Sequence, residues 1–488
     1  MNPRAGQRSK HSEMMGAHSL MAAKTTTKSK QTTTTVTPTP IARVRTVELA
    51  AHMGERARLQ GWLRSVRRLG GITFLIVRDG WGEAQAVAAD PTELAPLETT
   101  GAGVESVIAV SGVVAAAPQA PGGVELREIS VEVITAVTEA PPVTLSKREL
   151  KASMDTLLDY GVVTNRHPRR RAAFALASSA MAGFRETLLA RDFTEIQSPK
   201  IVGSATEGGA NVFRLDYFDR DAYLAQSPQL YKQIMVGVFE RVFEVGPVFR
   251  AEPHDTTRHL NEYVSLDVEF GFIEDHFTVM ALLRDVIAGM LARVSAERQA
   301  ELALLGVTMP QVPAVIPHIH FADAQELILR LHGVDSRGEP DLAPQDERWL
   351  GEWAQAEYGS DFLYVTGYPM SKRPFYVYPD PARSEYSNSF DLLFRGTELV
   401  SGGQRLHRYE DYRAALAARG MSEAPFAEFL QAFRYGMPPE GGFAIGLERF
   451  IAQLTGAPSV KLVTLFPRDI NRIDVLLSTN QGDAPATI

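Results

Sequence analysis

The 488-residue sequence predicts an all-β domain followed by a larger α+β domain. Residues 43–140 contain five short segments that alternate or are rich in β-branched residues, with Gly and Pro between them. From residue 169 onwards, helical and strand-like segments alternate without a strict βαβ order, which favours an antiparallel or mixed sheet. Between these regions, residues 141–168 begin with two prolines and are predicted to form a hinge.

The composition is that of an ordinary globular protein, with 45% hydrophobic and 22% charged residues. The chain has no Cys, which excludes disulfides, thiolate zinc sites and cysteine nucleophiles. It contains no apolar run of about 18 residues and no apolar signal segment at its N-terminus, so we expect a cytoplasmic protein that does not enter a membrane. The net charge of −8 gives no global reason to expect nucleic acid, and any RNA surface must be local.

Residues 1–42 are of low complexity, and we expect a disordered basic tail. The basic residues outnumber the single acid, Glu13; they are Arg4, Arg8, Lys10, Lys24, Lys28 and Lys30. Such a tail can touch nucleic acid, but the simpler interpretation is a dispensable segment.

Five strands in about 95 residues suit a small closed barrel such as an OB-fold. The strand-like segments are ARLQGWLRSV, GITFLIVRD, EAQAVAA, SVIAVSGVVAAA and VELREISVEVITAV. Turn signals lie at Gly70–Gly71 and at Pro121–Gly123.

The segment 246–270, GPVFRAEPHDTTRHLNEYVSLDVEF, carries pairs of charged residues on two strand-like runs. Arg250 and Glu252 are two residues apart, which predicts that they point to one side of a strand, and Asp267 and Glu269 repeat the spacing. Arginines supply planar donors for phosphate oxygens, and carboxylates can hold Mg²⁺ or orient the arginines. The pattern suits a nucleoside triphosphate with its metal, and the alternative is a salt-bridged hairpin in a solvated sheet.

Two further segments offer contacts to a small substrate. Glu207 is the only charge in the glycine-rich loop 203–213 and can take an ammonium group. A helix predicted to start at Pro228 carries Gln229 and Lys232. The alternative for the loop is an ordinary turn, and the alternative for Lys232 is a surface lysine.

A third segment, 390–407, places Asp391 and Glu398 before a Ser-Gly-Gly turn and Arg405 after it. Acids and a hydroxyl around a turn suit Mg²⁺ with phosphate oxygens completing its shell. Arg405 can bind a carboxylate with two parallel hydrogen bonds. The alternative is a set of surface charges.

A fourth segment, 436–456, is a glycine-rich strand that leads into a helix near Glu448–Arg449. Arg449 can cover a purine face or a phosphate, and the alternative is a packing strand. Because the sequence has no GxGxxG or GxxxxGK[ST] phosphate loop, a nucleotide would be held by side chains on a sheet.

Together, and in this order, these segments resemble the three signature motifs of the class II aminoacyl-tRNA synthetases. The motifs are a helix–strand segment with Pro199, the FRAE…DVE segment, and a segment with Gly446, Glu448 and Arg449. ATEGGANVF, AQSPQLYKQ, TTRHLNE, SGGQRLH and AFRYGMPPEGGF are similar to archaeal-type aspartyl-tRNA synthetases, and the resemblance covers nearly everything from 43 to 475. It implies an OB-fold anticodon-binding domain (43–140), a hinge (141–168), a catalytic domain (169–488) on a six-stranded antiparallel sheet, and a homodimer.

The resemblance implies ATP-dependent formation of an aspartyl-adenylate with Mg²⁺, followed by transfer of aspartate to the 3′-OH of tRNA. The implied ATP-binding residues are Arg250, Ala251, Glu252, Arg258, His259, Leu260, Glu398, Gly446, Leu447, Glu448 and Arg449. The implied aspartate-binding residues are Glu207, Gln229, Lys232, Arg250, Ser401 and Arg405. Arg250 and Arg449 would act as catalytic phosphate ligands, and Glu398 and Ser401 would hold Mg²⁺.

Lys232 and Arg405 favour aspartate over asparagine, because asparagine would leave two buried cations unpaired. The alternatives are an asparaginyl-tRNA synthetase and a catalytically inactive tRNA-binding paralogue.

The resemblance maps Phe74, Gln85 and Glu125 onto anticodon-reading positions, where an aromatic ring stacks a base and polar groups read its edge. Pro121 matches relatives that also charge tRNA(Asn), whereas Arg64 stands where relaxed relatives often have His. We predict a non-discriminating enzyme for tRNA(Asp) and tRNA(Asn), whose Asp-tRNA(Asn) would need a tRNA-dependent amidotransferase.

Overall fold

The computed structural model describes residues 41–203 and 211–473. Within them the chain forms two compact units, one of residues 41–102 and 106–136, the other of residues 103–105 and 137–473 apart from the gap. Apart from residues 41 and 42, the predicted tail lies outside the described residues, and so does Glu207.

The first unit is a closed five-stranded barrel, as the sequence predicts. Its strands are β1 (Arg56–Leu69), β2 (Ile72–Arg78), β3 (Glu83–Ala88), β4 (Val107–Ala116) and β5 (Val124–Thr135), with a short helix α1 (Ala95–Thr100). They follow the order β1-β2-β3-β5-β4, and β4 pairs with β1 to close the ring. Side chains alternate, so that Leu75 and Val77 of β2 fill the apolar core while Phe74 does not belong to it.

The second unit contains eleven further helices. They are α2 (Met154–Asp159), α3 (Gly161–Thr164), α4 (Pro168–Leu189), α5 (Gln229–Phe239), α6 (His276–Glu297), α7 (Gln299–Leu305), α8 (Phe321–His332), α9 (Pro344–Tyr358), α10 (Tyr409–Ala418), α11 (Ala427–Arg434) and α12 (Leu447–Thr455). No helix in the described part of the chain is long and apolar enough to cross a membrane.

The strands of the second unit form two sheets. They are β6 (Thr194–Glu195), β7 (Ile201–Val202), β8 (Arg214–Tyr217), β9 (Arg220–Leu224), β10 (Arg241–Phe249), β11 (Glu262–Gly271), β12 (His318–His320), β13 (Phe362–Thr366), β14 (Ser389–Phe394), β15 (Thr397–Gln404) and β16 (Glu440–Gly446). The large sheet has the order β12-β13-β14-β15-β16-β11-β10-β6, and the small one the order β7-β9-β8.

The prediction of a six-stranded antiparallel sheet is wrong, because the large sheet has eight strands and is mixed. The six inner strands pair antiparallel, but β12 and β6 at the two edges pair parallel to their neighbours. Both edge strands are only two or three residues long. Parallel pairing joins segments that are distant in the chain, so short runs such as these give no local signal.

One face of the large sheet is covered by helices α4 and α6, which share its apolar core. The two helices approach closely at Gly183 and Gly289, since a Cβ on Gly183 would lie 2.8 Å from the Gly289 carbonyl oxygen. Along β11, Leu266 and Val268 point into this core. The alternating residues of β11 therefore face the opposite side, where the candidate site lies.

Candidate active site

A cavity of about 380 Å³ lies on the face of the large sheet that carries the charged residues of β11. It collects most of the residues predicted from the separate sequence segments. The predicted residues that line it are Gln229, Lys232, Arg250, Glu252, Arg258, His259, Leu260, Glu398, Ser401, Arg405, Gly446, Glu448 and Arg449.

Two predicted ATP-site residues do not line this cavity. Leu447 is buried in the apolar core at the start of α12, and the Ala251 backbone N–H donates to the carbonyl of Asn211 at 2.9 Å. The strand assignment of Arg250 and Glu252 is also wrong, since β10 ends at Phe249. Both residues lie in the loop that follows, where Pro253 has no N–H to continue strand pairing.

Lys232, on the first turn of α5, is buried at the floor of the cavity. Its Nζ lies 3.0 Å from Asp267 Oδ1 and 3.1 Å from Glu269 Oε2, and it donates to the carbonyls of Val268 and Phe443 at 3.3 Å. The side chain is 1% exposed, so the alternative of a surface lysine is wrong.

Arg405 reaches the same floor from the end of β15. Its Nε donates to Glu269 Oε1 at 2.8 Å and its Nη2 donates to the Gly442 carbonyl at 3.0 Å. Burial acts to lower the pKa of Arg405, but the charge and hydrogen bond of Glu269, together with the other acidic groups around it, keep the pKa above its ordinary value. The guanidinium is therefore fixed and charged before any ligand arrives.

Glu440 adds a third buried acid beside Asp267 and Glu269. Burial, together with the negative charge of Glu269, raises the pKa of Glu440 well above its ordinary value. Gln233 donates to it at 2.9 Å. The floor pairs two cations, Lys232 and Arg405, with the carboxylates of Asp267 and Glu269, and a ligand with both an ammonium group and a carboxylate can pair with both signs.

Arginines line the outer part of the cavity. The Arg250 guanidinium lies 5.6 Å from the centre of the Tyr263 ring. Arg258 donates to Glu347 at 2.8 Å and to Thr397 at 3.1 Å. Arg449 donates to the Glu398 carbonyl at 2.9 Å. Three planar cations around one opening form a site for a polyanion such as a triphosphate.

The oxygen atoms suited to Mg²⁺ lie on β14 and β15. Asp391 and Ser401 are paired across these strands, and the Ser401 hydroxyl donates to Asp391. The Glu398 side chain is 39% exposed at the cavity. Mg²⁺ typically takes one or two protein carboxylates and completes its shell with phosphates and water, so this donor set fits. Among residues 41–203 and 211–473, no group of three or more His, Asp or Glu side chains forms a metal site.

Two residues of the site lie outside the predicted segments. Arg373 lines the cavity, stands 4.0 Å over the Tyr368 ring and 3.0 Å from Asp391. Glu347 of α9 accepts from Arg258 and from the Glu398 backbone N–H, at 2.8 and 2.9 Å. Each lies beside other charged residues, Arg373 after Lys372 and Glu347 between Asp346 and Arg348, so nothing in the local sequence distinguishes it from a surface charge.

Glu448 is a buried carboxyl at the start of α12. Its two oxygens accept from the Val264 backbone N–H at 3.1 and 3.2 Å. Burial raises the pKa of Glu448 to about 7, and the hydrogen bond from Val264 offsets only part of this rise. The residue thus titrates near neutral pH.

The barrel brings together the predicted anticodon residues. Phe74 of β2 is half-buried, with the Arg67 guanidinium 5.2 Å from its ring centre. Gln85 donates to Glu125 at 2.8 Å. Because Phe74 faces Val87 and Gln85 lies two residues away on the same strand, the ring and the amide share one face of the sheet. Pro121 begins a 3₁₀ turn, Pro121–Gly123, just before β5.

The barrel, the charged cavity on an antiparallel sheet centre and the order of the motifs define a class II aminoacyl-tRNA synthetase. The chain belongs to the family described as tRNA synthetases class II (D, K and N), which it matches over residues 153–470. Residues 57–135 match the OB-fold nucleic acid binding domain.

Curated relatives and solved structures agree with this assignment. The chain is 47% identical to the aspartate–tRNA(Asp/Asn) ligase of Deinococcus radiodurans over 89% of this chain and 99% of that protein. It is 46% identical to the enzyme of the same name from Thermus thermophilus, over 88% and 99%. The asparaginyl-tRNA synthetase of Pyrococcus horikoshii with asparaginyl-adenylate superposes with a TM-score of 0.82 at 31% identity, covering 89% of this chain and all of that one.

Proposed function

We propose that this protein attaches L-aspartate to tRNA(Asp) and tRNA(Asn) in an ATP-dependent reaction through an aspartyl-adenylate. The observation that carries the proposal is the buried floor of the cavity, where Lys232 and Arg405 are held by carboxylates of β11. It is supported by two relatives above 45% identity that are named aspartate–tRNA(Asp/Asn) ligases.

The aspartate substrate binds at the cavity floor. Its side-chain carboxylate pairs with Lys232 and Arg405, whose positions are fixed by Asp267 and Glu269. Gln229, Arg250 and Ser401 line the same cavity and complete the aspartate site. Glu207, outside the described residues, is proposed to take the ammonium group. Asparagine is disfavoured because its neutral amide cannot accept the charge-assisted hydrogen bonds that Lys232 and Arg405 donate to a carboxylate.

ATP binds at the outer part of the cavity. Arg250 contacts the α-phosphate and Arg449 the distal phosphates, while the loop residues Glu252, Arg258 and His259 line the site. Glu398 and Ser401 hold Mg²⁺, which neutralises phosphate charge when bound. Attack of a carboxylate on the α-phosphate is an in-line displacement between two anions, so positioning and charge neutralisation are what these residues supply.

The second step transfers aspartate from the adenylate to the 3′-OH of the tRNA terminal ribose. The barrel selects the tRNA: Phe74 stacks a base of the anticodon, and Gln85 and Glu125 read its edge. Pro121, in the turn before β5, is the residue that favours charging of both tRNA(Asp) and tRNA(Asn).

The proposal also covers the location of the enzyme, its oligomeric state, the partner that takes its product and its domain organisation. The protein is a cytoplasmic homodimer. Its Asp-tRNA(Asn) is passed to a tRNA-dependent amidotransferase. A basic tail (1–42), an anticodon domain (43–140), a hinge (141–168) and a catalytic domain (169–488) make up the chain. The helices α2 and α3 lie inside the proposed hinge.

ATP–pyrophosphate exchange with single amino acids tests the activation step. Exchange driven by aspartate and not by asparagine is expected. Exchange driven by asparagine would make the protein an asparaginyl-tRNA synthetase, and absence of exchange with every amino acid would make it an inactive paralogue.

A further inference from the structure

The loop between β10 and β11 carries residues of the proposed ATP site but has no helix or strand of its own. Glu252, Arg258 and His259 of this loop line the cavity. A segment without regular structure keeps one shape only if contacts from outside hold it. The conformation of this loop therefore depends on residues elsewhere in the chain that contact it.

A 3₁₀ turn, Val460–Val463, lies directly against the loop. The Val460 backbone N–H donates to the Thr257 carbonyl at 3.0 Å. Lys461 forms an ion pair with Asp255 of the loop, and its Nζ lies 2.6 Å from Asp469 Oδ2. The Lys461 side chain is 5% exposed, so this cation joins the loop to the C-terminal segment from a buried position.

The partners of Lys461 are themselves tied together. Asn471 donates through its Nδ2 to Asp255 at 2.9 Å and through its backbone N–H to Asp469 at 2.8 Å. The hydrogen bond from Lys461 lowers the pKa of Asp255, and Asp255 with Asp469 raises the pKa of Lys461 although burial opposes it. Asp255 and Lys461 are therefore both charged at neutral pH, and their ion pair persists there.

We propose that Lys461 is a positioning residue for ATP binding, which fixes the β10–β11 loop so that Glu252, Arg258 and His259 meet the nucleotide. Lys461 itself is not among the described residues that line the cavity, so it acts through Asp255. The inference rests on the proposed function, because it takes the cavity as the ATP site.

The test compares Lys461→Met, Lys461→Arg, Asp255→Asn and a control, Lys372→Met, in the full-length protein. Lys372 also forms an ion pair with an aspartate, Asp341 at 2.8 Å, but both side chains are exposed. ATP affinity is measured by titration calorimetry, and aspartate-dependent exchange gives KM for ATP and kcat separately. Thermal melting reports whether each variant is folded.

The expected result is that Lys461→Met raises Kd and KM for ATP about tenfold, with kcat changed less than about threefold. Lys461→Arg binds ATP as the wild type does, and Lys372→Met leaves ATP affinity unchanged. Asp255→Asn raises Kd and KM for ATP as Lys461→Met does. Asp255→Asn decides the matter if Lys461→Met does not fold, because it leaves the buried cation paired with Asp469.

Folded variants that bind ATP as the wild type does would overturn the proposal. A loss in kcat alone, or equal losses in Lys461→Arg and Lys461→Met, would also overturn it and leave Lys461 a purely structural role. If the wild type itself binds no ATP, the proposed function is wrong. That outcome is distinct from a failure of the Lys461 proposal, which requires a wild type that binds ATP.

Discussion

Lys232 shows how one side chain connects the fold to the choice of substrate. Its ammonium group is held by two carboxylates two residues apart on β11, and both point to the face of the sheet on which the cavity lies because side chains alternate along a strand. A cation in this position has little freedom to move away from an entering carboxylate. In the proposed function, selectivity for aspartate follows from this fixed charge.

Replacing Lys232 by Met should abolish aspartate activation while Lys372→Met should not. We expect kcat/KM for aspartate in ATP–pyrophosphate exchange to fall about a thousandfold or more, because the substrate carboxylate would meet Asp267 and Glu269 without a cation between them. Leaving the buried Asp267 without its ion pair, while Glu269 keeps Arg405, should also cost about 3–5 kcal/mol of stability. Aspartate activation within tenfold of wild type would contradict the assigned role.

Glu448 gives the protein a stability that depends on pH in a defined window. Burial raises its folded-state pKa from 4.5 to about 7. Between these values the folded state binds a proton more tightly than the unfolded state, so stability present at pH 4.5 is lost as pH rises through 7. A shift of this size corresponds to about 3 kcal/mol.

The variant Glu448→Gln cannot titrate and should escape this loss. Thermal unfolding of wild type and variant between pH 4.5 and 8 should give curves whose difference grows in favour of the variant up to pH 7 and then stays constant. Every other titrating group is common to both proteins, so the difference reports Glu448. A difference that does not change with pH would show that this carboxyl is not perturbed.

At the scale of elements, β16 must approach β11 closely for the site to form. A Cβ on Gly442 would lie 2.0 Å from the Val268 carbonyl oxygen and 2.3 Å from Glu269 Oε2. The Gly442 carbonyl also accepts from Arg405. The absence of a side chain at this position therefore lets two strands and a buried arginine meet.

Gly442→Ala should destabilise the protein by about 1–3 kcal/mol or more, since the obstacle is backbone rather than a mobile side chain. Gly446→Ala on the same strand is the matched control, because the nearest atom to its Cβ would be 3.7 Å away. Thermal melting of both variants makes the comparison. Equal melting temperatures would mean that β11 and β16 are less closely packed than the structure has them.

The sequence predicts the elements that carry a strong local pattern. The five barrel strands could be placed because alternation is a local property, and the motif residues could be placed because they resemble a known family. The edge strands β6 and β12 could not, since they are two or three residues long and form by parallel pairing with distant segments. Arg373 and Glu347 were missed for a similar reason: only the folded chain brings them to Asp391 and Arg258.

At the scale of the whole molecule, the chain combines two tasks in two compact units. In the proposed function, the cavity of the second unit binds a small amino acid through buried charges, and the barrel presents an aromatic ring and polar groups on one face to RNA. A net charge of −8 is compatible with tRNA binding, because an RNA-binding surface can be local.

Aspartate charging of purified tRNA(Asp) and tRNA(Asn) by the full-length protein tests the central claim most directly. We predict that both tRNAs are charged with aspartate, with kcat/KM values within about tenfold of each other. A value for tRNA(Asn) that is orders of magnitude lower would contradict the relaxed tRNA choice, and failure to charge tRNA(Asp) would contradict the proposed enzyme itself.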